Sequence, residues 1–233
     1  MKKYLPKSII DFLRFHKKKI LVSGKQKIFC IGLNKTGTTS LKIAMNDLGY
    51  VVGNQRKGEA LIDDWARRDY DRIIKYCQSA EFFQDTPFSI PFTYLAIHLA
   101  FPNAKFVLTV RDNPDQWYQS ITKFHAKKWG KNGRVPTKED LMNATYLEKG
   151  RPWKSNRLLF NTPENDPYEK KALIEYYNRH NDSVIEYFRH LPGQLLILNV
   201  SEERAYQKLC NFLQKEPLYD SFPWENKTKE IKS

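Results

Sequence analysis

The sequence predicts an α/β domain of three layers, with helices on both faces of a central parallel sheet of about five strands. Three observations carry this expectation. Strand-like and helix-like segments alternate along the whole chain. Short continuous apolar runs at 27–33 (KIFCIGL), 105–110 (KFVLTV) and 194–200 (QLLILNV) read as strands buried on both faces. The first run ends in a Gly/Thr-rich loop that leads directly into a helical pattern.

Taken in order, residues 1–24 form a basic amphipathic segment, with Ile9, Ile10, Phe12, Leu13 and Phe15 set among lysines. It lacks the long apolar stretch of a signal peptide. It is expected to pack on the domain or fray, with an anionic membrane surface as the other reading. Residues 25–233 form one domain. After the first strand, apolar positions Leu41, Ala44, Met45 and Leu48 predict a helix closed by Gly49. Tyr50–Val52 suggests a short second strand, and 59–77 one helix. A third strand over 80–84 ends at Asp85, and Pro91–Phe101 reads as helix. The fourth strand, 105–110, ends at Arg111. Asn113 and Pro114 then open a helix running to about Lys127. Residues 130–167 carry Gly, Pro and Asn with weak periodicity, so a loop-rich functional segment is expected there. A long helix over 168–191, a last strand, a helix over 202–214 and a polar tail complete the chain.

Lys and Arg number 39 against 26 Asp and Glu, a net charge of +13. Such a chain attracts anions. The charge is dispersed, with no nucleic-acid recognition helix or RNA-binding aromatic signature, so nucleic acid is not an expected partner. Cys30, Cys77 and Cys210 have neither metal nor redox spacing, which suggests buried free thiols and a reducing, cytoplasmic compartment. No apolar run reaches the length of a membrane span.

The loop Gly32-Leu33-Asn34-Lys35-Thr36-Gly37-Thr38-Thr39-Ser40 holds the parts of an anion cradle. Glycines let the backbone approach, the helix N-terminus aims N–H groups at the ligand, hydroxyls donate and a lysine neutralises. It is close to the nucleoside-triphosphate loop GxxxxGK[ST]. However, Thr38 stands where that motif needs lysine, and the lysine is at 35. This displacement argues against a nucleotide kinase, which remains an alternative reading, as does a non-catalytic nucleotide- or sulfated-glycan-binding relative.

The segment Lys35-Thr36-Gly37-Thr38-Thr39 resembles the 5′-phosphosulfate loop of PAPS-dependent sulfotransferases, with Asn34 in place of a frequent proline. Arg111 after KFVLTV, with Ser120 nine residues on, is similar to that family's 3′-phosphate pair. The segments around Tyr177–Asn181 and 209–229 look like a small sulfotransferase-like subfamily, although Arg204-Ala205-Tyr206 depart from its Gly-Trp pattern. The resemblance implies a P-loop kinase-like sheet of order 2-3-1-4-5 and PAPS as sulfuryl donor, with PAP as product and no metal. By the same resemblance, Asn34, Lys35, Thr36, Gly37, Thr38, Thr39, Ser40, Arg111 and Ser120 would hold the cofactor, and Asn226, Lys227 and Thr228 would close over it.

In that topology Asp85 and Arg111 flank the loop at the ends of neighbouring strands. Lys35 suits charge stabilisation at the leaving group, and Asp85 suits the general base, with His180 as its rival. His98 reads as core and His125 as solvated. Asp85, Phe88, Trp129 and His180 are the expected acceptor-site residues, with Tyr146, Arg151, Trp153 and Arg157 further candidates from 130–167. The acceptor is an unidentified small molecule, lipid or glycan.

Overall fold

A computed structural model describes residues 6–223. Four parallel strands form the central sheet: β1 (Ile28–Cys30), β2 (Phe82–Phe83), β3 (Lys105–Thr109) and β6 (Leu195–Leu198), in the order β2-β1-β3-β6. A small antiparallel hairpin, β4 (Thr145–Tyr146) with β5 (Glu148–Lys149), stands apart. The expected strand at 50–52 contracts to a single parallel bridge, Val52 to Phe82, on the outer side of β2. The central sheet therefore has four strands, not five. Gly53 next donates its N–H to the Phe82 carbonyl at 2.8 Å, and a Cβ there would lie 2.6 Å from the Phe83 ring.

The period-2 alternation of β1 divides the core into layers. Phe29 and Ile31 face one side, where α4 (Ile62–Ala66), α5 (Asp71–Cys77), α6 (Thr93–Ala100) and α10 (Lys170–Phe188) contribute to the cover. The Phe29 ring lies 5.4 Å from that of Phe83, 5.5 Å from Phe88 and 5.7 Å from Phe106. Such aromatic pairs each add about 0.5–1.5 kcal/mol beyond area burial. Ile28 and Cys30 face the other side, against α2 (Thr38–Asp47) and α11 (Ala205–Leu213). A third apolar cluster joins Leu33, Trp117, Ile121, Leu141 and Leu173 beside the sheet, built largely on α7 (Pro114–Trp129) and α10.

Two expectations of helix and loop need correction. The helix anticipated over 59–77 is broken: Glu59 ends α3 (Gln55–Glu59), and α4 and α5 follow, separated by Arg68 with a φ of 60°. Residues 130–167 are not mainly loop. They contain α8 (Lys138–Asn143), the hairpin and α9 (Arg151–Leu159). Local chemistry explains both helices. Thr137 and Asp140 form a reciprocal capping box at the start of α8. Gly150 in a left-handed conformation, with Pro152 in the first turn, starts α9. Neither signal depends on apolar periodicity, which is weak here.

The remaining helix, α1 (Lys7–Leu21), precedes the sheet. No helix among the described residues is long and apolar enough to cross a membrane. All three cysteines are buried and free.

Candidate active site

Parallel pairing brings the C-terminal ends of β1, β2 and β3 to one edge of the sheet. Leu33–Lys35 leave β1 there, Asp85 follows β2 and Arg111 follows β3. The loop after β1 lies hard against β3: a Cβ on Gly32 would fall 2.4 Å from the Thr109 carbonyl oxygen. Gly37 has a φ of 99° and opens α2, and a Cβ there would meet Val200 at 2.3 Å. Only glycine permits both that conformation and that contact. The first N–H groups of α2, from Thr38 onward, have no acceptor within the helix and point toward the loop.

Within this loop the residues divide. Thr36 is fully buried; its hydroxyl donates to the Leu33 carbonyl (2.5 Å) and pairs with the Thr109 hydroxyl (2.6 Å). Its side chain therefore braces the loop from beneath and is not a ligand donor, contrary to expectation. Ser40 is buried in the first turn of α2 and lies outside the cavity lining. Asn34 is held by Trp117, whose indole N–H donates to its carbonyl at 2.9 Å, and by the Ser89 hydroxyl at 3.4 Å on Oδ1. Asn34, Lys35, Thr38 and Thr39 all line a cavity of about 340 Å³.

Lys35 adopts a φ of 73°, and its ammonium rests 3.9 Å from the centre of the Phe124 ring. Burial lowers its pKa, and the Arg111 and Lys128 cations lower it further. Arg111 donates from Nε to the Lys35 carbonyl (2.7 Å), and its own pKa is lowered by burial. Neither cation has a carboxylate ion-pair partner among the described residues. Part-buried cations that repel one another beside a helix N-terminus have the chemistry to hold a multiply charged anion. Ser120 lies on α7 between Trp117 and Phe124 at i−3 and i+4, but neither it nor Arg111 is among the residues that line the cavity.

Asp85 lines the same cavity as Lys35 and is only 9% exposed. Its φ of 65° turns the chain, and it accepts from the Thr86 N–H at 2.8 Å on Oδ1. Gln55 donates one amide proton to Asp85 Oδ2 (2.6 Å) and another to Glu59 Oε1 (2.9 Å), bridging two carboxylates. Burial, with repulsion from Glu59 adding to it, raises the Asp85 pKa to about 6. A buried carboxylate with that poise is suited to taking a proton near neutrality.

Several residues of this site escaped the sequence reading. Gln55 and Glu59 lie on a short polar helix with no motif around them. Glu59 is buried, accepts from the Tyr146 hydroxyl at 2.8 Å, and receives the Arg151 guanidinium on its backbone carbonyl. The hairpin and α9 are tied to the body at this point. Lys128 lines the cavity with its ammonium 3.8 Å from the Tyr146 ring centre. His125, expected to be solvated, lines the cavity too and shares a hydrogen bond with the Tyr168 hydroxyl (2.8 Å). Burial, aided by Lys128 and Lys35, lowers its pKa to about 3, so it is neutral at physiological pH. The i, i+4 spacing of Ile121, His125 and Trp129 from the loop-facing Trp117 was the available signal.

Other expectations change. Phe88 belongs to the aromatic core around Phe29 and does not line the cavity. His180 also lies away from it: it is 3% exposed, and its Nε2 is hydrogen-bonded to the Ile31 carbonyl at 2.8 Å. It supports the end of β1, and burial lowers its pKa. His98 is half-buried and hydrogen-bonded to the Tyr187 hydroxyl at 2.8 Å. Trp129, Tyr146 and Arg151 line the cavity, whereas Trp153 and Arg157 lie against each other outside it. Asn226, Lys227 and Thr228 lie outside the described residues.

Comparison with known proteins agrees with this geometry. A family model described as sulfotransferase domain matches residues 27–231. The chain is also similar to Ava biosynthesis cluster protein M of Aspergillus versicolor, at 23% identity over 223 residues, covering 84% of this chain and 79% of that protein. The match runs from the first strand through the loop, both strand-end charges and the cavity walls, and the chain belongs to the sulfotransferase domain family.

Proposed function

We propose that this protein transfers a sulfuryl group from PAPS to a hydroxyl or amine acceptor held in the 340 Å³ cavity. The observation that carries the reading is the placement of Lys35 and Asp85. A cation at a helix N-terminus and a poised carboxylate, from adjacent strand ends, line one cavity. The donor set fits a nucleotide with two anionic groups: the α2 N-terminus, Lys35, Thr38 and Thr39 for the 5′ group, Arg111 and Ser120 for the 3′-phosphate. PAPS supplies an activated sulfuryl group and departs as PAP.

Asp85 takes the acceptor proton through a carboxylate oxygen as the acceptor oxygen bonds to sulfur. Lys35 neutralises the charge that grows on the 5′-phosphate oxygen as its bond to sulfur breaks. Gln55 and Thr86 hold the two Asp85 oxygens in place, so the remaining lone pairs are directed without reorganisation. Ile62, Ile90, Ile121, Phe124 and Leu159 give the cavity an apolar wall beside these groups.

The direct test is transfer of label from PAPS to components of a metabolite extract, with mass spectrometry of the product. Calorimetry should show PAP binding in the presence of a chelator. Tight ATP binding without PAP binding would favour a P-loop phosphotransferase. Binding of PAP with no transfer to any acceptor would favour a non-catalytic relative.

A further inference from the structure

The helix α1 leaves an apolar stripe without a partner among the described residues. Ile9, Phe12, Leu13, His16 and Ile20 fall at i, i+3, i+4, i+7 and i+11, so they share one face. That face is bare: Ile9 is 43% exposed, Phe12 60%, Leu13 52% and Ile20 77%. Of the two forms expected for this segment, packed on the domain or frayed, these exposed side chains do not show the packed one. Exposed Arg14, Lys17, Lys18 and Lys19 accompany the stripe, and Lys7–Leu21 contains five Lys and Arg against a single Asp. Fifteen residues rise about 22 Å, less than the hydrocarbon thickness of a bilayer.

From this we infer that α1 is an interfacial anchor that lays its apolar stripe into the surface of an anionic lipid bilayer. The occupant follows from charge. The apolar side chains alone would suit many partners, but the flanking lysines and Arg14 complement acidic lipid headgroups, which attract such residues within a Debye length of the surface. α1 leads through buried Val22 to the start of β1, whereas the cavity lies at the opposite, C-terminal end of that strand. Docking therefore does not occupy the cavity, and this inference stands apart from the proposed chemistry.

The test is co-sedimentation of the full chain with phosphatidylcholine vesicles, with and without phosphatidylserine. Binding is expected only with phosphatidylserine and should weaken at high salt. Phe12→Glu with Leu13→Glu should abolish it. Lys17→Gln with Lys18→Gln and Lys19→Gln should weaken it about 100-fold, at about a factor of five for each lysine neutralised. These positions are exposed, so circular dichroism and PAP binding should be unchanged in both variants. Absence of binding to phosphatidylserine vesicles overturns the inference. So does a dimer in sedimentation velocity that Phe12→Glu dissociates, since a second copy would then cover the stripe.

Discussion

Replacing Asp85 with Asn should remove turnover while making the protein more stable at neutral pH. In the unfolded chain this carboxyl titrates near 3.8, and in the folded protein near 6. Below pH 3.8 both states are protonated and the group costs nothing. As pH rises from 3.8 toward 6, the unfolded chain loses its proton first, and folding stability falls. Above 6 the full penalty, about 3 kcal/mol, is present. Asn carries no such charge. It can still accept from the Thr86 N–H, but its amide N–H₂ would confront the Gln55 donor, a mismatch costing about 1 kcal/mol or more. The net expectation is a gain of about 1–2 kcal/mol at pH 8 that reverses to a small loss by pH 4, where the charge penalty is nearly gone and the mismatch remains. Urea unfolding of both proteins at the two pH values measures it. Over the same range the native enzyme's kcat/KM should rise through an acid limb near pH 6, and Asp85→Asn should lose about 100- to 10,000-fold in kcat with PAP affinity retained. Near-native turnover in Asp85→Asn would refute the base assignment. A variant equally destabilised at both pH values would refute the ionisation argument.

Other perturbations address the remaining parts of the site. Glu59→Gln removes the neighbouring charge that raises the Asp85 pKa, so the acid limb should move to lower pH, as a pH–rate profile would show. Lys35→Ala should cost about 100- to 1,000-fold in kcat. Its melting temperature should change little, because the ammonium's recorded contact is the Phe124 ring. Arg111→Ala should weaken PAP binding by about 10- to 100-fold in calorimetry, the loss of a charge-assisted contact. Gly37→Ala should lower stability and PAP affinity together, because a Cβ would meet Val200 at 2.3 Å in a left-handed residue.

The sequence was most informative where chemistry and periodicity are local. The apolar runs located β1, β3 and β6, and the Gly/Thr loop located the turn into α2 that lines the cavity. Asn113 and Pro114 located the start of α7 to the residue, because a cap and a first-turn proline act within one turn. Reading failed where the deciding contact is long-range. Thr36 reads as a phosphate donor by type, yet the Thr109 hydroxyl, 73 positions away, turns it inward. Phe88 and His180 have plausible chemistry for an acceptor site, but packing places one among core aromatics and the other against the end of β1.

The sequence by itself determined the class of fold and the loop that carries Lys35, since backbone freedom at Gly37, strand burial and helix-start chemistry are written in adjacent residues. Tertiary structure alone decided what faces that loop. Gln55 and Glu59, from a short helix without periodicity, and Tyr146, from a hairpin 87 residues beyond Glu59, meet beside Asp85 only because distant segments pack there. The pKa that makes Asp85 a candidate base is likewise a product of burial and of a neighbouring carboxylate, neither of which exists before the chain is folded.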